Sequence, residues 1–462
     1  MSLQTAADPL LAGVSANMRG PRARYAWYVL GVLTLIYVFS IIDRSVVALL
    51  VEPIRRQFSI TDTQISVLMG VSFALFFCLF GIPLGRLADS HSRRGLIAGG
   101  FVLWSAMTAG CALAKTYGQF VLLRVGVGVG EASLTPAAYS LITDYFPKEK
   151  LGTAMSVYSL AIHIGAGLAF IFDGLVVAYV AQHTGGKLPW LGAIQPWQSV
   201  FLILGLSGIA LALLMYTVKE PARKLPQRMP EGAVGTRSVS LPLREVWKYF
   251  RRNKATLICH NLGFTLTALT SYTTWGPSIF IRNFGWSAGK AGAIYGVLTS
   301  VLGAVGILAG GRFADYLARR GYRDANMRLG LIVTLAWFPT GLLFPLMPNA
   351  TWAIAMLIPS YLFVSAPWGA AAAALQQVMP DSMRGQATGI YLLVLNLVST
   401  GLGPMAVALL TDYAFHNDHA VNLSMLIVGA SSHALAALLL WKGLGYFRAS
   451  LARMPQWQAA NE

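Results

Sequence analysis

Apolar residues run through this chain in blocks of helical length, divided by short polar segments, from residue 25 almost to the end. A helix needs about 20 such residues to cross a hydrocarbon core of roughly 30 Å. The pattern predicts twelve spans, at 25–51, 62–86, 95–115, 118–146, 150–182, 197–218, 254–282, 288–316, 328–348, 351–379, 384–412 and 421–446. Glycine and proline interrupt many of them, yet the helical period outlasts each interruption, whereas a β-barrel would read as short alternating segments. The expected fold class is an all-α membrane protein of twelve transmembrane helices.

Composition agrees with that reading. The chain is 56% hydrophobic and 11% charged, with a mean hydropathy of +0.59, while soluble domains run near a quarter charged. The first 24 residues carry Arg19, Arg22 and Arg24 but no short apolar core ahead of a small-residue cleavage site, so the first span reads as its own insertion signal. Lysine and arginine set orientation. With both termini in the cytoplasm, only Arg55, Arg56, Lys115, Lys187, Arg282 and Lys290 fall in outer loops, and the other non-membrane bases lie inside. The net charge of +17 is then mostly a topology signal, and no nucleic acid is needed to explain it. Cys78, Cys111 and Cys259 fall in three different spans without metal-ligand spacing, so neither a disulfide framework nor a metal site is expected. No cofactor motif is found.

The longest polar stretch, Lys219 to Asn253, contains four prolines and many of the basic residues. It divides the chain into an N-terminal tail (1–24), a first six-helix bundle (25–218), a basic linker (219–253), a second six-helix bundle (254–446) and a C-terminal tail (447–462). Inside the linker, LREVWKYFRRNK sets Leu243, Val246, Trp247 and Phe250 on one helical face and Arg244, Lys248, Arg251 and Arg252 largely on the other. That suits a helix lying in the inner interface against anionic headgroups.

The halves also repeat one another. GRLADSHSRR, Gly85 to Arg94, aligns with GRFADYLARR, Gly311 to Arg320, with six of ten positions identical. Pro147, Gly152 and Ala154 are echoed by Pro380, Gly385 and Ala387. Two similar bundles can rock about a site held between them, so such a duplication points to a transporter built as two pseudo-symmetric bundles. The loop G-R-L-A-D-x-x-x-R-R and the run Arg124-x-x-x-Gly128-x-Gly130-x-Ala132 resemble motifs of the major facilitator superfamily. Within it, Ile42-Asp43-Arg44 together with Gly128 to Ser133 resembles the spinster family. The glycine-proline antiporter motif of some drug exporters is missing from the fifth span, where Gly165-Ala166-Gly167 stands.

The resemblance implies that helices 1 and 4 line a central cavity, and that the repeated loops are conformational latches. Gly85 and Gly311 would let a neighbouring helix approach closely. Asp89 would meet the N-terminus of helix 11 near Arg384, and Asp315 that of helix 5 near Gly152, where free amides and the helix dipole favour an anion. Arg93 and Arg319 complete the motif, and the plainer reading is that its arginines enforce topology.

Of the eighteen acids only Asp43 and Glu131 lie well inside spans, with Asp173 nearing the outer end of the fifth. The inner bases are Arg44 and Arg124. Counted from the outer ends, Asp43 lies about 12 Å deep, Arg124 about 9 Å and Glu131 about 20 Å at 1.5 Å per residue. An ion inside the membrane faces a bundle interior or a watery cavity and keeps a partner, so the four are expected to form one neutral set. Asp43 and Glu131 are the proton-carrier candidates. Arg44 and Arg124 can compete for those carboxylates or hold an anionic headgroup; the alternative is a static network fixing helix 1 against helix 4. The second half offers His260, Thr270, Tyr272, Thr274 and Trp275, then Ser365, Trp368 and Asn396, of which Tyr272 and Trp368 are the substrate-contact candidates. His163 reads as an interhelical packing residue.

These readings converge on a monomeric, proton-coupled secondary transporter in the cell membrane, a bacterial inner membrane by its character, among membrane lipids. The resemblance implies a lysolipid or sphingoid-lipid substrate; the alternative is a carrier of soluble organic anions or drugs. An enzyme is not expected, because nucleophile-elbow, metal-ligand and phosphate-loop signatures are missing and the glycines of GVGVGE sit inside a span.

Overall fold

The computed structural model describes residues 21–146, 148–183, 187–188, 192–193, 195–221, 243–269, 272–380 and 383–459. In the first half α1 is Pro21–Leu49 and α2 joins Asp62–Ser66, a π-helical turn Val67–Val71 and Ser72–Ser90. Next come α3 (Arg93–Cys111), α4 (Tyr117–Glu131 continued by Leu134–Tyr145), α5 (Lys148–His183) and α6 (Pro196–Ala212 with a 3-10 turn Leu213–Thr217). In the second half α7 joins Lys254–Thr267 and Gly276–Arg282, and α8 is Ala288–Arg319. They are followed by α9 (Ala325–Leu343) and α10 (Ala350–Ser365 and Pro367–Val378). Then α11 runs from Arg384–Leu395 through a π-helical Asn396–Leu402 to Gly403–Leu409, and α12 is Val421–Ala459. Among the described residues, nine helices are by themselves long and apolar enough to cross a membrane. The strands among the described residues are one two-residue pair, β1 (Lys187–Leu188) and β2 (Gly192–Ala193), antiparallel with Lys187 opposite Ala193.

Local chemistry explains the starts and breaks. Thr61 with Gln64, and Thr116 with Gln119, form reciprocal capping boxes that begin α2 and α4. The expected single span at 254–282 is instead two helices, Lys254–Thr267 and Gly276–Arg282, the second opening with Pro277 in its first turn, where a missing N–H leaves no bond unmade. Pro367 opens the second segment of α10 in the same way. The last helix continues to Ala459 rather than ending at 446. A helix spans Leu243–Arg252 in the linker; among its described side chains Tyr249 is buried, donating to the Val378 carbonyl at 2.5 Å, and Trp247 is exposed. The stretch 222–242 lies outside the described residues.

The repeated loops and the linker mark one end of the bundle, called the basic end here; Arg55 and Arg282 mark the far end. The two ends pack differently. At the far end one core runs across both halves, joining Val46, Ile65 and Trp197 to Trp275, Phe280 and Tyr295. Toward the basic end the cores are separate, one built on Phe101, Leu141 and Tyr158, the other on Met327, Leu375 and Phe447. Midway, glycines let the halves touch. A Cβ on Gly167 of α5 would lie 2.6 Å from the Gly296 carbonyl of α8, and one on Gly70 of α2 would lie 2.0 Å from the Thr400 carbonyl of α11.

Candidate functional site

Asp43 and Arg44 are neighbours on α1, so their side chains leave the helix about 100° apart and do not face each other. Arg44 points to α4, where its Nε donates to Glu131 Oε2 at 2.6 Å. Ser40, one turn earlier on the same face, donates to the same oxygen at 2.7 Å. The guanidinium stacks over Phe73 and Phe77 of α2, 4.4 and 4.9 Å from their ring centroids, a cation–π arrangement that offsets part of its lost hydration. Glu131 is buried, while the Arg44 side chain keeps 23% of its surface open. Of the four charged groups Arg44 is therefore the one within reach of an incoming molecule. The glycines before Glu131 are packing devices: Gly128 lies against the Phe73 carbonyl and Gly130 against Trp104.

The four charged groups gather at one place, but among the described residues only Arg44 and Glu131 of the four form an ion pair with each other. Asp43 turns to α3, accepting from the Thr108 hydroxyl at 2.6 Å, and its other carboxylate oxygen has no partner among the described residues. Arg124, fully buried, donates to the main-chain oxygens of Leu68 (3.3 Å) and Asp43 (3.4 Å) rather than to a carboxylate. The result is one ion pair, Arg44–Glu131, with an acid and a base lodged nearby. Asp173, which the sequence placed near an outer helix end, is fully buried on α5, and both its oxygens lack a partner among the described residues. An isolated acid in a long apolar run was the signal available for it. Ser40 and Thr108 gave no signal, since serine and threonine are ordinary in such helices.

In the second half a cavity of about 270 Å³ brings together Tyr272, Thr274, Ser365 and Trp368, closed on the first-half side by Ile162 and Ala166 of α5. Trp368 is 40% exposed, whereas Tyr272 is mostly buried in an aromatic cluster with Phe344 and Tyr361. The other second-half candidates lie elsewhere. His260 is locked between α7 and α10, with Nε2 2.7 Å from the Ala371 carbonyl. Asn396 donates to Leu392 of its own helix, and Trp275 donates to the Pro404 carbonyl at 3.0 Å. Thr270 and the His163 side chain lie outside the described residues.

Among the latch candidates whose side chains are described, none is seen to bridge the halves. A Cβ on Gly85 would meet only Pro136, at an ordinary 3.8 Å, and one on Gly311 would meet nothing. Asp315 and Arg319 are exposed, and Arg319 donates to the Asp315 carbonyl within its own helix. The Asp89 side chain lies outside what is described. Arg93 is buried within the first half, paired with Asp144 and Glu220. Burial works against the Glu220 charge, but bonds from the Arg94 N–H, Arg93 and Ser92 outweigh it and hold this carboxyl below its ordinary range.

Among the described residues, the ion pairs that cross between halves cluster at the far end, and sequence reasoning missed them. Arg282 of α7 forks onto Asp62 at 2.6 and 2.7 Å and reaches Glu52 at 2.6 Å. Arg55 forks onto Asp418 at 2.8 and 3.0 Å. Asp412 caps the start of α2, accepting from the N–H groups of Asp62 and Thr63 at 3.2 and 2.6 Å. Asp62, Asp412 and Asp418 converge closely enough to suggest a metal, but Arg55 and Arg282 supply the positive charge there.

Known proteins place this arrangement. The chain is 28% identical over 441 residues to an MFS-type efflux pump of Mycolicibacterium smegmatis, covering 94% of this chain and 95% of that protein. It is 26% identical over 415 residues to human spinster homolog 1, covering 83% and 72%. A crystal structure of a bacterial homologue of the lysosomal transporter Spinster, inward-facing and unoccupied, superposes with a TM-score of 0.74 at 26% identity, covering 94% of this chain and 98% of that one. Residues 33–404 match the profile of the Major Facilitator Superfamily, and the chain belongs to that superfamily.

Proposed function

We propose that the protein is a proton-coupled secondary transporter that carries a lipid-like anionic amphiphile by alternating access. One observation carries the reading: the partly open Arg44 guanidinium is held by buried Glu131, with Asp43 alongside on the same turn. A proton arriving on Glu131 removes the partner of Arg44, and the freed fork takes an anionic headgroup. An anion binding first releases the carboxylate to accept a proton, which is the same coupling seen from the other side. The aromatic and hydroxyl lining around Trp368 would take the apolar part of the substrate.

The basic end is cytoplasmic on this reading, with both termini inside a bacterial inner membrane and one chain as the working unit. The loops at Gly85–Arg94 and Gly311–Arg320 then latch the cytoplasmic side in the opposite state, when the far-end contacts have parted. The likeness to spinster proteins supports a lipid-like substrate. The likeness to an efflux pump, over nearly all of both chains, favours a second reading: export of soluble organic anions or drugs.

Purified protein in liposomes with an imposed pH gradient tests both readings. Accumulation of a labelled lysophospholipid that collapses with an uncoupler is expected. Accumulation of a sugar acid or a cationic dye instead would favour the second reading. Movement of every probe regardless of the gradient would reject a coupled carrier.

A further inference from the structure

The pair α1 and α5 of the first half packs tightly, with a Cβ on Gly165 lying 3.4 Å from the Val38 Cα. Their second-half counterparts, α7 and α11, touch through His260 and Tyr391, but toward the basic end they part around a groove of about 470 Å³. Ile258 and Leu262 of α7 and Ile390 and Val394 of α11 form its walls, and Trp247 and Phe250 of the linker helix close one end. Ile258 is 51% exposed and Trp247 64%, so an apolar surface lies open where bilayer chains would run. Arg251 and Lys254 stand exposed at the same mouth. An apolar channel that ends in two cations at the membrane interface is complementary to one molecule class, a phospholipid with an anionic headgroup.

We propose that an anionic phospholipid occupies this groove, one acyl chain between α7 and α11 and its phosphate between Arg251 and Lys254. It ties the linker helix to the two helices that continue toward the cavity and toward the contact of Thr400 with Gly70. The site is separate from the substrate cavity, and its occupant remains bound through transport.

Native mass spectrometry of the whole protein, titrated with phosphatidylglycerol or phosphatidylcholine, tests this. Wild type is expected to retain one phosphatidylglycerol and to hold it at least tenfold more tightly than phosphatidylcholine. Arg251→Gln with Lys254→Gln should erase that preference, and Ile390→Trp, which fills the groove without touching charge, should displace the lipid. Equal retention of the two lipids by wild type would overturn the proposal, as would retention unaltered in both variants. So would the finding that no lipid is retained because the chain's own 222–242 segment fills the groove.

Discussion

The two ends of the bundle solve the same problem differently. At the far end a shared core and the Arg282 and Arg55 forks bind the halves together. At the basic end each half keeps its own core, and Arg93 with Glu220 stitches the first half only to itself. Cross-half contacts of that kind can form or part as a unit, while a core internal to one half moves as a rigid body. The difference identifies the state as one closed at the far end. Of the two loop aspartates, Asp315 is exposed at the end of its own helix in this state.

If this asymmetry is one phase of a cycle driven by protonation, removing the acids should stop the cycle altogether. Glu131→Gln and Asp43→Asn are each expected to reduce pH-driven accumulation in liposomes to that of empty vesicles while folded protein is still recovered. Wild-type pH dependence in both would break the link between site and ends.

Next in size is the far-end lock itself. Arg282→Gln removes the fork from Asp62, which keeps Arg55 at 3.2 Å, and the partner of Glu52, and should cost about 2 kcal/mol, a shift on the order of thirtyfold in the ratio of states. Spin labels at Arg56 and Tyr413, in a background lacking the three cysteines, would report it as a population of longer distances. An unchanged distribution would mean that the shared core, and not the ion pairs, holds that end.

Smaller effects sharpen the contrast between halves. Trp368→Ala should weaken lysophospholipid binding about tenfold, roughly 1.4 kcal/mol, and leave its pH dependence intact, since the residues lining that cavity include no carboxylate, histidine, lysine or arginine. A changed pH profile would instead tie that wall to coupling. Last comes the basic-end stitch. Glu220 is held below its ordinary value of 4.5, so its contribution is complete above that pH and fades as pH falls through the lowered folded value. Glu220→Gln should cost about 0.5–1 kcal/mol near neutrality, and the melting difference from wild type should vanish in acid.

Much of this was legible in the chain. Span length, the linker and the repeat at Gly85 and Gly311 fix the architecture, because each depends on local composition. The intramembrane charges were legible as a group but not as partners. Adjacent residues on a helix diverge, so Asp43 beside Arg44 in sequence answers to Thr108 and Glu131 on different helices. The far-end lock joins residues more than 200 positions apart, such as Asp62 and Arg282, and nothing local selects that pairing over the other arginines nearby. Asp173 read as nearing a helix end although it lies as far inside its span as Asp43, and nothing in the sequence shows how α5 is covered by its neighbours.

The central claim is that proton and anionic substrate share one switch at Arg44. Its most direct test is the affinity of the purified protein for a lysophospholipid probe measured from acid to neutral pH, in wild type, Arg44→Lys and Glu131→Gln. The account predicts tighter binding by wild type as the acid is protonated, pH-independent binding by Glu131→Gln, and weakened binding by Arg44→Lys, which keeps the charge but loses the fork. Wild-type affinity that does not vary with pH, or Arg44→Lys binding as wild type does, would contradict it and leave Arg44–Glu131 as a fixed strut between α1 and α4.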